Sequence, residues 1–244
     1  MPAKAGGDGF VLNGDKLYVL DAHTSDFIIC AARTAEGSDP ANGITLFLID
    51  TKAEGLTVEL LPSMDGTRKI TAVHFKDVAV KQEDVVGELN KGWTPLSRML
   101  RRAQTALCAE CVGGAALALE TIVEHAKIRI TFGQQLGAYQ AIKHCCAQMF
   151  LEVESARSVF FWASWAQDHA EEEEAALAAT VAKSYCTETY RNVTTNGIQL
   201  LGGTGFSWEH DMHLYLKRAK SNEVTLGDPF YHREQVARHL EALA

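Results

Sequence analysis

The chain has 244 residues, of which 47% are hydrophobic and 22% are charged. This length and apolar fraction allow one large domain or two ordinary ones, and they exclude a disordered or fibrous chain. The formal net charge of −8 argues against a general nucleic-acid binder. No uninterrupted apolar run reaches the ~18 residues of a membrane span, and no signal-peptide pattern is present, so we expect a cytoplasmic protein without a membrane segment.

The six cysteines invite a metal or redox interpretation, because Cys108 and Cys111 form a Cys-x-x-Cys motif and Cys145 and Cys146 are adjacent. Both pairs, however, lie within long helical patterns, without the Gly or Pro of a zinc knuckle and without a second Cys-x-x-Cys. We therefore expect buried thiols, no metal site and no disulfide.

Residues 1–88 carry short β-rich apolar runs that are separated by turn signals. The runs are 10–12, 17–20, 27–30, 44–49 and 70–75. Asn13 and Gly14 lie between the first two runs, and Asn-Gly is the strongest short-range signal for a two-residue hairpin. Several strands at near-regular spacing predict a partial antiparallel β-sandwich or barrel domain over 1–88.

Residues 89–244 carry an apolar period of 3.6, which is typical of helices. The predicted helices cover about 91–129, 142–163, 171–200, 210–224 and 229–242. Gly202 and Gly203 stop the third helix, and Asp228 and Pro229 open the last one as N-cap and first residue. Long helices joined by short loops predict an up-down four-helix bundle with short extra helices, so the predicted fold class is α+β.

The residues that could bind a ligand lie at the breaks between helices. Segment 129–134, Arg-Ile-Thr-Phe-Gly-Gln, joins the first two helices, and segment 199–206 holds three glycines in four residues. Glycines allow a backbone to approach a phosphate closely, but they also end helices, and an Arg at a helix C-terminus is often a dipole partner. Nucleophile-elbow, paired-His and phosphate-loop motifs are absent from the sequence. The residues alone therefore leave both interpretations open.

Taken together, segments 7–16, 129–134 and 199–206 resemble the acyl-CoA dehydrogenase family in the right order. Further matches lie at 77–80, 87–92 and 218–220. The resemblance covers nearly the whole chain, as the later part of the family's middle β domain and its complete C-terminal bundle. The family's N-terminal helical domain is not represented, so we expect either a fragment or a fold that a second polypeptide completes.

The resemblance implies FAD-dependent α,β-dehydrogenation of an acyl-CoA thioester, in which a carboxylate removes a proton while the flavin takes up hydride. It implies that Arg129 faces the FAD pyrophosphate through charge-assisted contacts. The other cofactor-binding residues that it implies are Thr131, Phe132, Gln140, Gln199, Gly202 and Gly203. It also implies a homodimer or a dimer of dimers that shares the flavin between subunits, with electron-transfer flavoprotein as redox partner by analogy.

The catalytic Glu of the family is missing from its usual positions. The loop Glu falls on Leu226, and the alternative Glu of the first long helix falls on Ala103. Gln104 occupies a place where an Arg commonly supports substrate binding. Neither Leu226 nor Ala103 can accept a proton.

Three interpretations therefore stay open. An active dehydrogenase could use a displaced acid, of which Asp228 is the first candidate, ahead of Glu110 and Glu209. A base-lacking subunit could contribute part of the FAD site to a mixed oligomer with a sibling subunit, an arrangement that resembles heteromeric family members of sterol- and lipid-degrading bacteria. A flavin-free scaffold could keep the bundle for assembly only.

Overall fold

The computed structural model describes residues 1–37 and 39–242, so Ser38 and the last two residues of the predicted 89–244 domain lie outside the described residues. The chain forms two compact units, Met1–Met99 and Leu100–Ala244. The first holds the strands between residues 3 and 86, and the second holds most of the helical sequence and one short hairpin. The predicted domain limits, 1–88 and 89–244, stay a prediction.

The first unit is a pair of antiparallel sheets. Its strands are β1 Ala3–Gly6, β2 Gly9–Leu20, β3 Phe27–Arg33, β4 Ile44–Asp50, β5 Leu56–Leu61, β6 Ile70–Lys81 and β7 Val85–Val86. One sheet has the order β1-β2-β6-β5, and the other has the order β3-β4-β7. Alternate side chains of both sheets enter one core, where the Phe10 and Phe47 rings meet edge to face at 5.4 Å. The sandwich prediction is confirmed.

The hairpin predicted at Asn13 and Gly14 is wrong, because both residues lie inside the continuous strand β2. The turn lies earlier, at residues 7–8 between β1 and β2. Asn13 instead sits at an irregularity of the β2–β6 register, opposite a second irregular residue, Asp77, whose φ is +53°. The Asn13 amide donates to the Asp77 carboxylate at 2.9 Å, and the Asp77 N–H donates to the Asn13 Oδ1 at 2.9 Å. The Asn13 side chain thus forms hydrogen bonds at an irregularity between two paired strands, and it does not form a turn.

The helices follow the predicted periodicity closely. They are α1 Trp93–Ile128, α2 Gln140–His169, α3 Glu172–Leu201, α4 Gly203–Phe206, α5 Met212–Val224 and α6 Pro229–Ala242. Side chains of α1, α2, α3 and α5 share one apolar core, as expected for a bundle. A Cβ on Gly114 of α1 would lie 2.5 Å from the Tyr190 ring of α3, so the small residue permits a close helix contact. The α+β fold class is confirmed.

Helix α1 is long and apolar enough, by length and composition alone, to cross a membrane. No such segment is expected from the sequence, because small Gly, Ala, Thr and Cys residues interrupt the run of large apolar side chains. These small residues add little charge, so the mean hydropathy of the helix stays high. Buried core helices pass the same test, and Leu107, Val112 and Ile122 of α1 belong to the core of the helical unit. Part of the apolar surface of α1 is therefore buried within this chain.

Candidate functional site

A tight hairpin between α1 and α2 positions Arg129, Thr131 and Phe132. Strands β8 Ile130–Thr131 and β9 Gln134–Gln135 pair directly, and the two residues between them, Phe132 and Gly133, have φ of +50° and +82°. The Arg129 N–H donates to the His125 carbonyl at 2.9 Å and closes the last turn of α1. The Arg129 carbonyl accepts from the Leu136 N–H at 2.7 Å, which fixes Arg129 between helix and hairpin.

The end of α3 supplies the second half of the site. Gly202 has φ +63° and ψ −140°, a conformation that only glycine adopts readily, and its N–H donates to the Ile198 and Gln199 carbonyls. Gly203 differs, because its φ is not positive, whereas a Cβ on either glycine would meet no atom within 4 Å. The backbone conformation thus requires glycine at 202 but not at 203. A bare backbone at 203 is what close approach of a ligand requires.

These two segments line one hollow of about 490 Å³ in the helical unit. His125, Arg129, Thr131 and Leu136 form one side, and segment 200–204 forms the other. The structure thus brings together four of the predicted cofactor-binding residues, Arg129, Thr131, Gly202 and Gly203. The other three predicted residues do not line the hollow.

Those three residues lie around the hollow's two segments rather than in its wall. The Phe132 side chain is 94% exposed at the tip of the hairpin. Gln140 is the exposed first residue of α2, and Gln199 is exposed in the last turn of α3. Their assignment to cofactor binding stays a prediction.

The hollow is lined by one cationic side chain, Arg129, and by one histidine, His125. Within the described part of the chain, the Arg129 guanidinium makes no hydrogen bond and no ion pair, although it is exposed and charged. His125, which the sequence analysis does not single out, lies one helical turn before Arg129 and is half-buried. Burial, followed by the charges of Arg129 and His210, lowers the pKa of His125. A guanidinium, the hydroxyl groups of Thr131 and Thr204, and a bare glycine backbone form a donor set that suits a phosphate-bearing ligand.

The loop that holds Leu226, one of the two predicted positions of the catalytic Glu, is in contact with helix α1. Gln104, next to Ala103 in α1, donates from Nε2 to the Leu226 carbonyl at 3.3 Å. Leu226 has φ +61°, which is rare for a bulky residue, and Gly227 follows with φ +99°. Gln104 therefore ties α1 to this loop, and neither Ala103 nor Leu226 carries a carboxylate.

Asp228, the predicted catalytic candidate, has a structural role at this loop. It is exposed, and its Oδ1 accepts the Tyr231 N–H at 2.8 Å at the start of α6, which is the geometry of an N-cap. Glu110, the next candidate, accepts from Arg218 at 2.8 Å and from Asn222 at 2.9 Å. A catalytic role for Asp228 stays a prediction.

A buried lysine, absent from the sequence-based candidates, holds the same loop. The Lys183 ammonium of α3 donates to the carbonyls of Gly227 at 2.7 Å, Asn222 at 3.2 Å and Glu223 at 3.3 Å. Two of these carbonyls belong to the last turn of α5, where a cation complements the helix dipole. Burial lowers the pKa of Lys183. Its position within an alanine-rich helix gave no signal of this contact.

All six cysteines are free thiols, and Cys30, Cys108, Cys111 and Cys186 are buried. A hydrogen bond with Cys186, together with burial, raises the pKa of Cys108. Burial raises the pKa of Cys111 to about 12. Within residues 1–37 and 39–242, the structure contains no group of three His, Cys, Asp or Glu side chains suited to a metal ion.

Comparisons with known proteins cover both units. A family model described as "Acyl-CoA dehydrogenase, C-terminal domain" matches residues 90–241, and one described as "Acyl-CoA dehydrogenase, middle domain" matches residues 1–78. The probable acyl-CoA dehydrogenase YngJ of Bacillus subtilis is 29% identical over 240 residues, which are 98% of this chain and 63% of YngJ.

Two solved structures agree with this match. Butyryl-CoA dehydrogenase from Megasphaera elsdenii superimposes with a TM-score of 0.90 at 28% identity, over 98% of this chain and 62% of that one. A structure of PigA with FAD and proline gives a TM-score of 0.92 at 27% identity, over 100% of this chain and 64% of that one. The chain thus spans about three fifths of the length of the relatives that it matches.

Proposed function

The chain belongs to the acyl-CoA dehydrogenase family, and on that premise we propose that it binds FAD at the Arg129 hollow as part of an acyl-CoA dehydrogenase. The proposed reaction is α,β-dehydrogenation of an acyl-CoA thioester by a cytoplasmic enzyme. The proposal includes a homo-oligomer and electron-transfer flavoprotein as redox partner, both by analogy with the family.

One observation carries the proposal: Arg129 and the Gly202–Gly203 backbone line the same hollow although about 70 residues separate them in the chain. The guanidinium has no partner among the described residues, so the fold leaves its charge available for an anion. The open space around Gly203 gives a phosphate or sugar room against the backbone. Both features fit the diphosphate and adenosine part of FAD.

When bound, FAD would supply the hydride acceptor of the reaction. The chain's own residues have a binding role in this proposal. Arg129 neutralises the diphosphate, the Thr131 and Thr204 hydroxyls donate hydrogen bonds near it, and the backbone at 202–203 packs against the nucleotide. Leu136, Leu200 and Leu201 limit water access to these charge-assisted contacts.

The test is FAD binding by the purified chain, followed by absorbance and isothermal titration calorimetry. We expect Arg129→Ala to weaken FAD binding by roughly 2–5 kcal/mol, because a charged diphosphate loses its counter-charge. Lys127→Ala is the matched control, since Lys127 is an exposed cation of the same helix end that is already paired with Glu124 at 2.5 Å. Equal FAD affinity of Arg129→Ala and wild type would contradict the proposal, and a colourless chain that never retains FAD would favour the flavin-free scaffold.

A second candidate, favoured by a separate observation, is a base-lacking subunit that contributes part of the FAD site to a mixed oligomer. The loop at Leu226 is held by Gln104 of α1, and neither Leu226 nor Ala103, the two predicted positions of the base, carries a carboxylate. The nearest acid in sequence, Asp228, already caps α6. A sibling subunit would then supply the base.

Asp228→Asn separates these two candidates, because Asn is as good an N-cap as Asp but cannot act as a general base. If the chain turns over an acyl-CoA with an artificial electron acceptor, we expect the active candidate to lose this turnover in Asp228→Asn without a loss of stability. An unchanged rate eliminates Asp228. For the base-lacking candidate, we expect turnover to arise only when a sibling subunit with the loop Glu is co-expressed, or in Leu226→Glu.

A further inference from the structure

The His125 imidazole lies in the wall of the Arg129 hollow and has no assigned role. Among the described residues, neither ring nitrogen of His125 has a hydrogen-bond partner, although the side chain is half-buried. An unpartnered imidazole in such a place leaves its nitrogens available to a ligand, and nothing in the chain fixes its tautomer.

The groups that act on His125 are cationic or neutral. Arg129 lies one turn further along α1, and His210 approaches from the segment between α4 and α5. The His210 Nδ1 accepts the Met212 N–H at 3.1 Å, so this ring is held with a lone pair toward the backbone. The other lining groups from the hairpin and the end of α3 are hydroxyl, leucine or backbone groups. Glu124, which precedes His125, is paired with Lys127.

Without a bound anion, burial and the charge of Arg129 therefore disfavour the protonated form of His125. A diphosphate brings negative charge into the same space and reverses this balance, because protonated His125 then gains an opposite charge. Each unit by which a bound anion raises the pKa of the imidazole corresponds to a tenfold gain in affinity once the pH lies below the free-state pKa.

We propose that His125 is a second cationic ligand of the phosphate group held by Arg129, and that its imidazole takes up a proton from solvent when the anion binds. The inference rests on the proposed FAD site and deepens it, because it adds a pH dependence to nucleotide retention. Affinity is constant at high pH, rises as the pH falls through the bound-state pKa of His125, and levels off below the free-state pKa.

The test measures dissociation constants of FAD and of ADP-ribose for the full chain between about pH 5.5 and about pH 8. Both phosphates of each probe are esterified, so the probes themselves do not titrate in this range. We expect binding about fivefold to tenfold tighter at the acid end for wild type, together with proton uptake in calorimetry with buffers of different ionisation enthalpy.

Three variants make the assignment specific. His125→Gln removes the titrating group and is expected to give weak binding that does not change with pH. His125→Lys keeps a permanent cation and is expected to bind tightly without pH dependence. His144→Gln, an exposed histidine of α2 that does not line the hollow, is expected to match wild type. An NMR titration of the His125 ring should show its pKa rising when FAD is added, which a structural role would not produce.

The outcomes separate this inference from the function on which it rests. If both probes bind but His125→Gln keeps the pH profile of wild type, the inference is overturned and the FAD site stands. If the NMR pKa of His125 does not rise on FAD binding, the inference is overturned as well. If wild type binds neither probe at any pH, the inference and the proposed function are both overturned.

Discussion

Lys183 and His232 are two buried residues that hold the loop at 225–228 by its backbone. Lys183 donates to the Gly227 carbonyl, and the His232 Nε2–H donates to the Leu226 carbonyl at 3.0 Å. The His232 Nδ1 is buried and has no partner among the described residues. Burial, opposed by the Leu226 hydrogen bond and assisted by the charge of Lys183, lowers the pKa of His232. The fold at this loop, which includes the left-handed Leu226, therefore favours the neutral form of His232.

The lowered pKa of His232 predicts that this one residue makes the stability of the protein sensitive to acid. Because the folded-state pKa of His232 lies below the unfolded value of 6.5, its contribution to stability is present above that value and is lost as the pH falls through 6.5 toward the folded-state pKa. The measurement is urea unfolding of wild type and His232→Gln across this window. We expect the free energy of unfolding of wild type to fall more steeply with acid than that of the variant, and parallel pH profiles would contradict the prediction.

At this scale the sequence predicts some site residues and misses others for physical reasons. Arg129, Thr131, Gly202 and Gly203 belong to motifs whose order is informative, and the structure places them in one hollow. His125 and Lys183 gave no signal, because a single His or Lys in a helix is ordinarily a solvated side chain. Their roles follow only from which neighbours the tertiary fold brings to them.

The helix–helix contacts show how adjacent glycines can differ within one element. In α1, Gly114 faces the Tyr190 ring of α3, whereas a Cβ on Gly113 would meet nothing within 4 Å. The surroundings of Gly113 and Gly114 differ because consecutive residues point about 100° apart around the helix axis.

We predict opposite effects of the two glycine-to-alanine substitutions. Gly113→Ala should stabilise the protein by about 0.5–1 kcal/mol, because it improves helix propensity at an exposed position. Gly114→Ala should destabilise it by about 1–3 kcal/mol, because the new methyl group overlaps the Tyr190 ring. Urea unfolding measures both, and equal effects of the two would show that α1 and α3 do not pack as described.

Gly202 and Gly203 at the end of α3 form a second matched pair. We expect substitution of the first to affect stability and substitution of the second to affect FAD binding. Gly202→Ala should destabilise the protein by about 1–3 kcal/mol, because the new residue must adopt positive φ with ψ −140°. Gly203→Ala should change stability by less than about 0.5 kcal/mol, since its Cβ enters open space. The same variant should weaken FAD binding by about tenfold, because that space is proposed for the nucleotide. Unfolding and FAD titration of both variants check this, and normal FAD affinity of Gly203→Ala would place the nucleotide elsewhere.

Elements are predictable from the sequence in proportion to the length of their periodic signal. The long helices repeat their apolar residues over many turns, so α1, α2 and α3 match their predicted ranges within a few residues. Strands β1 and β5 are not predicted, because they are short and only one residue of each is buried. At residues 13–14 a local turn signal was overridden by pairing with β6, a contact between residues far apart in sequence.

At the scale of the whole molecule, the described residues form two separate hydrophobic cores, one in each unit. All residues that line the Arg129 hollow belong to the helical unit. Ligand binding at this hollow should therefore stabilise the helical unit by direct linkage.

We predict that FAD slows amide hydrogen exchange first in segments 129–136 and 198–205. The reason is that these segments contact the proposed nucleotide and open locally when the hollow is empty. Hydrogen-exchange mass spectrometry with and without FAD measures this, and Arg129→Ala at the same FAD concentration is the control. Protection that spares both segments would contradict binding at this hollow.

The Asn13–Asp77 contact has a consequence for the chemical lifetime of the protein. Asn-Gly is the dipeptide that loses ammonia most readily, because the following backbone nitrogen can attack the side-chain amide when the chain bends freely. Here the amide is held by Asp77 on both of its polar atoms, and strand β2 keeps the chain extended. Folding therefore shields Asn13 from deamidation, and the aspartate formed after unfolding would face Asp77 with a like charge and hinder refolding of the sheet.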